Sequence, residues 1–262
     1  MAEAVRSTTP TYPDLAGRVA VVTGGSKGIG AATCRALAAN GVRVAVVARD
    51  AAGIDQTVAA LIAAGGEAIG VSADAMDYDA VEGMRAQVER ELGPADILMP
   101  FAGGFSRLTP VAEITEADWR YVIDSNLTTT FFACKSFLPG MMERGRGAIV
   151  TISSNAARNL DVTLTASYAA AKAGVVQFTR HVALEVGGSG VRVNCVAPAT
   201  TVTERISSFM SDERIEQMAQ LSTLKRIGMP DDSAMAALFL ASDSASWLTG
   251  ITIDVAGGRV MR

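Results

Sequence analysis

Short runs of β-branched and other apolar residues recur along the chain, separated by longer stretches in which apolar and polar positions follow helical spacing. Such runs are typical of strands buried on both faces of a parallel sheet. They predict strands at 18–23, 42–48, 67–73, 96–99, 147–153, 191–197 and 251–255. The stretches between them predict helices at 28–40, 53–64, 77–92, about 114–144, 164–186 and 231–242.

This alternation predicts one α/β domain: a doubly wound, Rossmann-type, mostly parallel seven-stranded sheet with helices on both faces. The length of 262 residues suits a single large domain. We expect residues 1–16 to form an N-terminal arm and residues 17–262 to form the domain. Residues 199–228 interrupt the alternation and begin with polar positions, which is typical of a substrate lid.

Composition narrows the range of functions. Hydrophobic residues make up 49% of the chain and charged residues 19%, which suits a sizeable core. The net charge is −4 without a long basic run, so nothing indicates binding to nucleic acid or to an anionic membrane. With one histidine and three scattered cysteines, we expect no metal site. The chain shows neither a membrane-length apolar run nor a signal-peptide pattern, so we expect a cytoplasmic protein.

A glycine-rich loop, TGGSKGIG at 23–30, joins the first strand to the first helix. Glycines permit positive φ angles and let a phosphate approach the backbone N–H groups at a helix N-terminus. The loop has no lysine placed for a triphosphate, so in this α/β context it predicts a dinucleotide site.

The end of the second strand bears on the choice of cofactor. An acidic residue there would accept from the ribose 2′-hydroxyl, but this strand ends in Ala48 followed by Arg49. Together with Lys27 in the loop, Arg49 favours NADP(H), because a 2′-phosphate is met best by guanidinium and ammonium groups. Asp50 argues in the opposite direction, although its position also suits an N-cap of the next helix.

A tyrosine and a lysine lie four positions apart in SYAAAKAGVVQ, residues 167–177. On a helix, Tyr168 and Lys172 are therefore neighbours on one face. An ammonium group beside a phenol favours the phenolate and lowers the pKa of the phenol. The pair predicts a general acid able to work near neutral pH, although a helix can also carry such a pair by chance.

Taken together and in order, these segments resemble the short-chain dehydrogenase/reductase family over residues 17–258. TGGSKGIG matches its TGxxxGxG loop and YAAAK its YxxxK pair. Ser154 in TISSNAARNL and Asn126 in DSNLTTTFF stand where the family carries its catalytic serine and asparagine. VNCVAPATTVT and DVAGG resemble its PGxxxT and DGG segments.

The resemblance implies a catalytic role for each of four residues. Tyr168 would donate a proton to a carbonyl oxygen as hydride arrives from the nicotinamide. Lys172 would lower the pKa of this tyrosine and hydrogen-bond the nicotinamide ribose. Ser154 would orient the substrate carbonyl, and Asn126 would hold a water that links the lysine to solvent. Ser154 and Asn126 are also suited to purely local hydrogen bonds.

The resemblance also implies the residues that contact NADP(H). They lie in the glycine loop, after the second, third and fourth strands, on the Tyr–Lys helix and after the sixth strand: Gly24, Ser26, Lys27, Gly28, Ile29, Gly30, Arg49, Asp74, Ala75, Ala102, Gly103, Tyr168, Lys172, Pro198, Thr201 and Thr203. Asp74 would contact the adenine and Thr203 the nicotinamide carboxamide. Asp74 is also suited to capping a turn, although the adenine contact is the favoured interpretation.

Three segments depart from the family pattern. PFAG replaces NNAG after the fourth strand, and because Pro100 has no N–H, we expect this strand to end at about Met99. Phe101 would then replace the lost polar ties by packing. The PG of the nicotinamide segment is Pro198-Ala199, and the DGG segment begins with Ala256.

The resemblance implies an NADPH-dependent carbonyl reductase or alcohol dehydrogenase acting on a small-molecule ketone or secondary alcohol, with a 3-oxoacyl thioester among the candidates. A non-catalytic dinucleotide-binding sensor or regulator is the alternative, since fold alone does not determine function. A sugar-nucleotide epimerase or dehydratase would need a longer substrate domain than residues 199–228. By analogy, we expect a homotetramer or homodimer formed through the helices around 114–144 and 164–186.

Overall fold

The apolar runs form a single parallel sheet. A computed structural model describes residues 9–104, 108–159, 164–208 and 210–259. Within them the strands are β1 (Val19–Thr23), β2 (Arg43–Ala48), β3 (Ala68–Ser72), β4 (Ile97–Pro100), β5 (Gly147–Ile152), β6 (Val191–Pro198) and β7 (Thr252–Val255). Their order in the sheet is β3-β2-β1-β4-β5-β6-β7, and every pairing is parallel. The predicted seven-stranded Rossmann-type sheet is confirmed.

Helices cover both faces of this sheet. They are α1 (Gly28–Ala38), α2 (Ala51–Ala63), α3 (Tyr78–Glu91), α4 (Glu116–Ile123), α5 (Thr129–Glu143), α6 (Ala166–Val186), α7 (Glu204–Ser207), α8 (Asp212–Gln220) and α9 (Pro230–Ala241). One core cluster joins the sheet to α1, α2 and α9, and includes Leu37, Leu61 and Leu238. A second cluster joins the opposite face to α3, α5 and α6, and includes Val88, Phe137 and Val182. None of the described helices is long and apolar enough to cross a bilayer.

The single helix predicted at about 114–144 is wrong as one element. The structure divides it into α4 and α5 with a π-helical segment, Asp124–Thr128, between them. Thr129 N–H donates to Asp124 O across this segment, which marks the wider π turn. Such insertions are frequent at functional sites, and this one carries Asn126.

The predicted end of the fourth strand at Met99 is one residue too early. β4 runs to Pro100, which pairs in register with Thr23 of β1. The pairing of β4 with β5 already stops at Leu98. Because no described strand on that side needs an N–H from position 100, the strand tolerates a proline there. Phe101 N–H then donates to Thr23 O at 3.2 Å, and its side chain is buried in the core, as expected.

The described part of the N-terminal arm contacts the domain. Residues 1–8 of the predicted arm, 1–16, lie outside the described residues. Tyr12 N–H donates to Asn40 Oδ1 at 2.6 Å, and Leu15 is completely buried in the core. Packing therefore begins a few residues before position 17.

The predicted lid, 199–228, leaves β6 and returns to α9. It contains α7 and α8, and its two ends are joined by a short parallel bridge between Thr201 and Gly228. At this bridge, Val202 N–H donates to Gly228 O at 2.8 Å and Gly228 N–H donates to Thr200 O at 3.2 Å. The base of the lid is therefore hydrogen-bonded to itself. Position 209 of the lid lies outside the described residues.

Candidate active site

A cavity of about 830 Å³ opens at the carboxyl ends of the strands, where the strand order reverses between β1 and β4. This switch point is where open α/β sheets bind their ligands. Every residue predicted to contact the cofactor lines this cavity, and so do Ser154, Tyr168 and Lys172. Asn126 does not line it, although its neighbour Ser125 does. The structure therefore brings together nearly all the predicted site residues.

The glycine loop is packed too tightly for side chains. Gly24 has a φ of +69°, and a Cβ there would lie 2.9 Å from the backbone oxygen of Phe101. A Cβ on Gly30 would collide with the backbone oxygen of Gly24. Only glycine satisfies both positions. The loop thus exposes bare backbone at the N-terminus of α1, which has the shape and polarity to receive a pyrophosphate.

A carboxylate of the lid already contacts this backbone. Gly28 N–H donates to Glu204 Oε2 at 3.0 Å, although the two residues are 176 positions apart. The preceding residue, Thr203, accepts from Ile206 N–H at 3.3 Å and so caps α7. A Cβ on Gly28 would lie 3.0 Å from Thr203 Cγ2. The first lid helix therefore lies directly on the glycine loop. Sequence analysis did not identify Glu204 as a residue of the site. Its position directly after Thr203 was the only feature of the sequence that could have indicated it.

The two cations expected to read a 2′-phosphate each have a carboxylate beside them. Lys27 Nζ lies 2.7 Å from Asp50 Oδ2, and Arg49 Nη1 lies 3.8 Å from Asp74 Oδ2. The hydrogen bond to Asp50 raises the pKa of Lys27, and the same bond lowers the pKa of Asp50. Asp50 stands at the N-cap of α2, as predicted, but its carboxylate is directed to Lys27. All four groups are well exposed, so these ion pairs are weak.

Tyr168 and Lys172 lie in the first two turns of α6, which Thr165 caps by accepting from Tyr168 N–H at 3.3 Å. Lys172 Nζ is 5.8 Å from the centroid of the tyrosine ring and donates to Ile152 O at 3.1 Å. Burial lowers the pKa of Lys172 to about 8. Ser153 Oγ donates to Lys172 O at 2.7 Å, which holds α6 against the end of β5.

Ser154 is the second residue after β5 and is buried at the cavity wall. Its Oγ accepts from Ala156 N–H at 3.2 Å, which caps a short 3-10 turn over Asn155–Ala157. The hydroxyl proton is directed towards Asn155 Oδ1 at a long 3.4 Å. The backbone therefore fixes the hydroxyl in place, and within the described ranges its own proton has only this weak acceptor.

Asn126 ties the segment after β4 to the π-helical turn. Its Nδ2 donates to Gly104 O and to Val122 O, both at 3.0 Å, and its Oδ1 accepts from Gly104 N–H at 3.0 Å. The side chain is completely buried. Both polar atoms of the amide thus have protein partners. The water that the resemblance places on Asn126 stays a prediction.

The lid supplies the remaining wall of the cavity. Ile206, Met210, Arg214 and Met218 line it from the lid side, and Tyr121 and Leu164 line it from the body of the domain. Residues 105–107 and 160–163 lie outside the described residues. A smaller cavity of about 290 Å³ lies behind the lid, against β7 and α9. Across the described ranges, no group of three or more His, Cys, Asp or Glu side chains is placed to hold a metal ion.

The cavity fits a nicotinamide dinucleotide. A Cβ on Gly24 or Gly30 would fill its glycine cradle, and the N-terminus of α1 offers backbone N–H groups to a pyrophosphate. Two cations line the same cavity, Lys27 in the glycine loop and Arg49 just after β2. The Tyr–Lys–Ser group lies in the same cavity. One end is therefore suited to the phosphates and the other to acid–base chemistry.

Comparison with known proteins agrees with this geometry. A family model described as "Enoyl-(Acyl carrier protein) reductase" matches residues 24–259. The chain is 37% identical over 248 residues to a D-threitol dehydrogenase of Mycolicibacterium smegmatis, covering 95% of each chain. It is 40% identical over 245 residues to a cis-4-hydroxycyclohexanecarboxylate dehydrogenase of Sinomonas cyclohexanicum, covering 93% of this chain and 97% of that one.

Among solved structures, a 3-oxoacyl-[acyl-carrier protein] reductase with bound NAD from Brucella melitensis superposes with a TM-score of 0.89 at 31% identity. The match covers 99% of this chain and 98% of that one. Sequence, fold and site geometry lead to the same conclusion: the chain belongs to the short-chain dehydrogenase/reductase family of oxidoreductases.

Proposed function

We propose that the protein is an NADP(H)-dependent carbonyl reductase, or in reverse an alcohol dehydrogenase, acting on a ketone or secondary alcohol. The observation that carries this proposal is the placement of Tyr168, Lys172 and Ser154 in one cavity with the glycine loop. A protein that only senses a dinucleotide needs no proton donor. The four residue types implied by the resemblance are all present, which favours an enzyme over the sensor alternative.

When bound, NADP(H) supplies or accepts the hydride. Tyr168 gives its phenolic proton to the substrate oxygen, and the Lys172 ammonium group stabilises the phenolate that remains. Ser154 donates a hydrogen bond from its hydroxyl to the same oxygen, keeps its proton, and stabilises the charge that develops there. Its weak bond to Asn155 Oδ1, at 3.4 Å, is readily exchanged for the substrate. Asn126 keeps the segment after β4 in place beside these groups.

The preference for NADP(H) rests on two cations, Arg49 just after β2 and Lys27 in the glycine loop. Arg49 and Lys27 are exposed, line the cavity and stand where the ribose of the adenosine is expected. Their weak pairs with Asp74 and Asp50 can open to a 2′-phosphate, which carries more charge than one carboxylate. The Brucella melitensis relative was solved with NAD, so NADH is the comparison that any assay has to include.

The substrate is proposed as a small-molecule carbonyl compound or alcohol. The relatives named above act, by their names, on a polyol, on a hydroxylated cyclohexanecarboxylate and on 3-oxoacyl thioesters. These are all ketones or secondary alcohols, or are converted to them. We propose that the enzyme works in the cytoplasm as a homotetramer or homodimer. Exposed Trp119, Tyr121 and Phe131 on α4 and α5 offer apolar area for such an interface.

A direct test is oxidation of NADPH, with NADH in parallel, by the purified protein against a panel of carbonyl compounds. The panel includes 3-oxoacyl thioesters, cyclic ketones, steroid and quinone carbonyls and simple aldehydes. We expect turnover on one class with NADPH preferred. Tight binding of NADPH with no turnover on any class, and none in the reverse direction with the matching alcohols, would instead support the sensor.

A further inference from the structure

The lid wall of the cavity combines apolar side chains with one cation. Arg214 and Met218 lie one turn apart on α8 and so share the helix face that lines the cavity. Met210, just before this helix, and Ile206 of α7 line the same wall. Arg214 thus shares one wall of the cavity with methionine and isoleucine residues. This wall belongs to the lid, whereas the glycine loop and Arg49 belong to the ends of β1 and β2.

Arg214 differs from the other cations of the cavity in its partners. Lys27 and Arg49 stand beside Asp50 and Asp74, and Lys172 is buried on a backbone carbonyl. Arg214 donates Nη1 to the neutral amide oxygen of Gln217 at 3.0 Å. In the part of the chain that the structure describes, it forms no ion pair with a carboxylate, although Asp212, Glu213 and Glu216 share its helix. Its charge is therefore available to a ligand.

We propose that Arg214 binds an anionic group of the substrate, a carboxylate in the simplest case, and so determines specificity for ketones and alcohols that carry one. The proposal rests on the proposed reductase function. The guanidinium group matches a carboxylate with two parallel hydrogen bonds. Met210 and Met218 provide an adaptable apolar surface for the carbon skeleton between the anion and the reacting carbon. Tyr168 and Ser154, in the same cavity, receive the carbonyl oxygen.

The test compares each carboxylate with its uncharged methyl ester. The first pair is 4-oxocyclohexanecarboxylate and methyl 4-oxocyclohexanecarboxylate, followed by 4-oxopentanoate and 5-oxohexanoate with their methyl esters. The parent, Arg214→Met and Arg214→Lys are assayed for kcat and KM. Binding of each carboxylate to the NADPH-loaded protein is measured by calorimetry. Arg90→Met, which removes an exposed arginine of α3 outside the cavity, is the matched control.

We expect the parent to prefer at least one carboxylate over its ester by tenfold or more in kcat/KM. Arg214→Met should raise KM for that acid ten- to a hundredfold and leave the ester unchanged, and Arg214→Lys should recover part of the loss. Equal losses on acid and ester, weaker binding of NADPH instead of the carboxylate, or no binding of any carboxylate to the parent would overturn the proposal.

The two proposals fail separately. Reduction of both the carboxylates and their esters without any dependence on Arg214 retains the reductase and removes the anion-binding role. Binding of a carboxylate that depends on Arg214, without oxidation of NADPH, retains the anion-binding role and removes the reductase.

Discussion

The backbone N–H of Gly28 and the carboxylate of Glu204 are hydrogen-bonded at 3.0 Å. The N–H belongs to the first residue of α1, where the helix dipole attracts anions, and the carboxylate belongs to the lid. In the proposed binding mode, a dinucleotide pyrophosphate accepts from the same N–H group. On that proposal the lid side chain occupies part of the phosphate position, and the pyrophosphate has to displace it.

Replacing Glu204 by glutamine should strengthen cofactor binding. The amide carries no charge, so it neither competes as strongly for Gly28 N–H nor repels the pyrophosphate. Because the contact is exposed, we expect a modest effect, about three- to tenfold in Kd for NADPH, or about 0.7–1.4 kcal/mol. Titration of the NADPH fluorescence measures it. Glu213→Gln, on the lid helix but outside the cavity, should bind NADPH like the parent. Unchanged or weaker binding by Glu204→Gln would contradict the competition.

Removing the phenolic hydroxyl of Tyr168 should abolish most turnover. Tyr168→Phe keeps the ring but leaves the substrate oxygen without its proton donor, so we expect kcat to fall by about 10²–10⁴-fold. NADPH affinity should stay within about twofold, which separates chemistry from binding. Tyr78→Phe, which loses a surface hydrogen bond to Glu82, should retain full activity. A Tyr168→Phe enzyme as fast as the parent would rule out the proposed acid.

The buried ammonium group of Lys172 should make stability depend on pH. Its pKa is about 8 in the folded protein because of burial, against about 10.4 in an unfolded chain. Between these values the unfolded state binds more protons, so this group makes the free energy of unfolding increase as pH rises. Below about pH 8 the buried group is charged, and the cost of burying this charge lowers the free energy of unfolding by on the order of 3 kcal/mol.

Lys172→Met removes this contribution. The difference in free energy of unfolding, variant minus parent, should therefore be larger at pH 7 than at pH 10. Urea unfolding of both proteins at the two pH values measures it, and taking the difference cancels the titration of groups common to both. A difference that does not change with pH would show that folding does not lower the pKa of Lys172.

Removing the guanidinium group of Arg49 should change the choice of cofactor. Arg49→Ala should weaken NADPH binding by about tenfold or more, because a charge-assisted contact to the 2′-phosphate is lost. NADH binding should change by less than about twofold, since its 2′-hydroxyl has no such charge. Competition binding with both cofactors gives the ratio. Arg43→Ala, at the opposite end of β2, should leave the ratio unchanged; equal losses for both cofactors with Arg49→Ala would exclude the assignment.

Adding a single methyl group to the glycine loop should prevent cofactor binding. In Gly30→Ala, the new Cβ meets the backbone oxygen of Gly24, so the loop has to move away from the pyrophosphate position. We expect loss of NADPH binding and destabilisation by about 1–3 kcal/mol. Gly83→Ala is the matched control, because nothing lies within 4 Å of its Cβ on α3. The free energy of unfolding of that variant should be about 0.5–1 kcal/mol higher than that of the parent, since alanine favours a helix more than glycine does. Thermal unfolding measures the stability of both variants, and titration with NADPH measures their cofactor binding.

The local sequence pattern was sufficient to predict features that lie within one helix or one strand. The strands are uninterrupted apolar runs buried on both faces, and the helices follow a 3.6-residue spacing, so the sheet could be predicted from the order of these segments. The same holds for Tyr168 and Lys172, whose proximity follows from one turn of α6. The π-helical turn at Asp124–Thr128 was missed, because its hydrogen bonds differ from those of an α-helix by one residue and leave no clear mark in hydrophobicity.

The sequence by itself determined the order of elements, the glycine loop and the chemical types available to the site. Only the tertiary structure decided which of them face one another. It set Glu204 on Gly28, placed Asp50 and Asp74 beside the two cations, and buried Lys172 deeply enough to lower its pKa. These relationships join residues far apart in the chain. They depend on how the lid and the strand ends pack in three dimensions, and no periodicity within one segment encodes that packing.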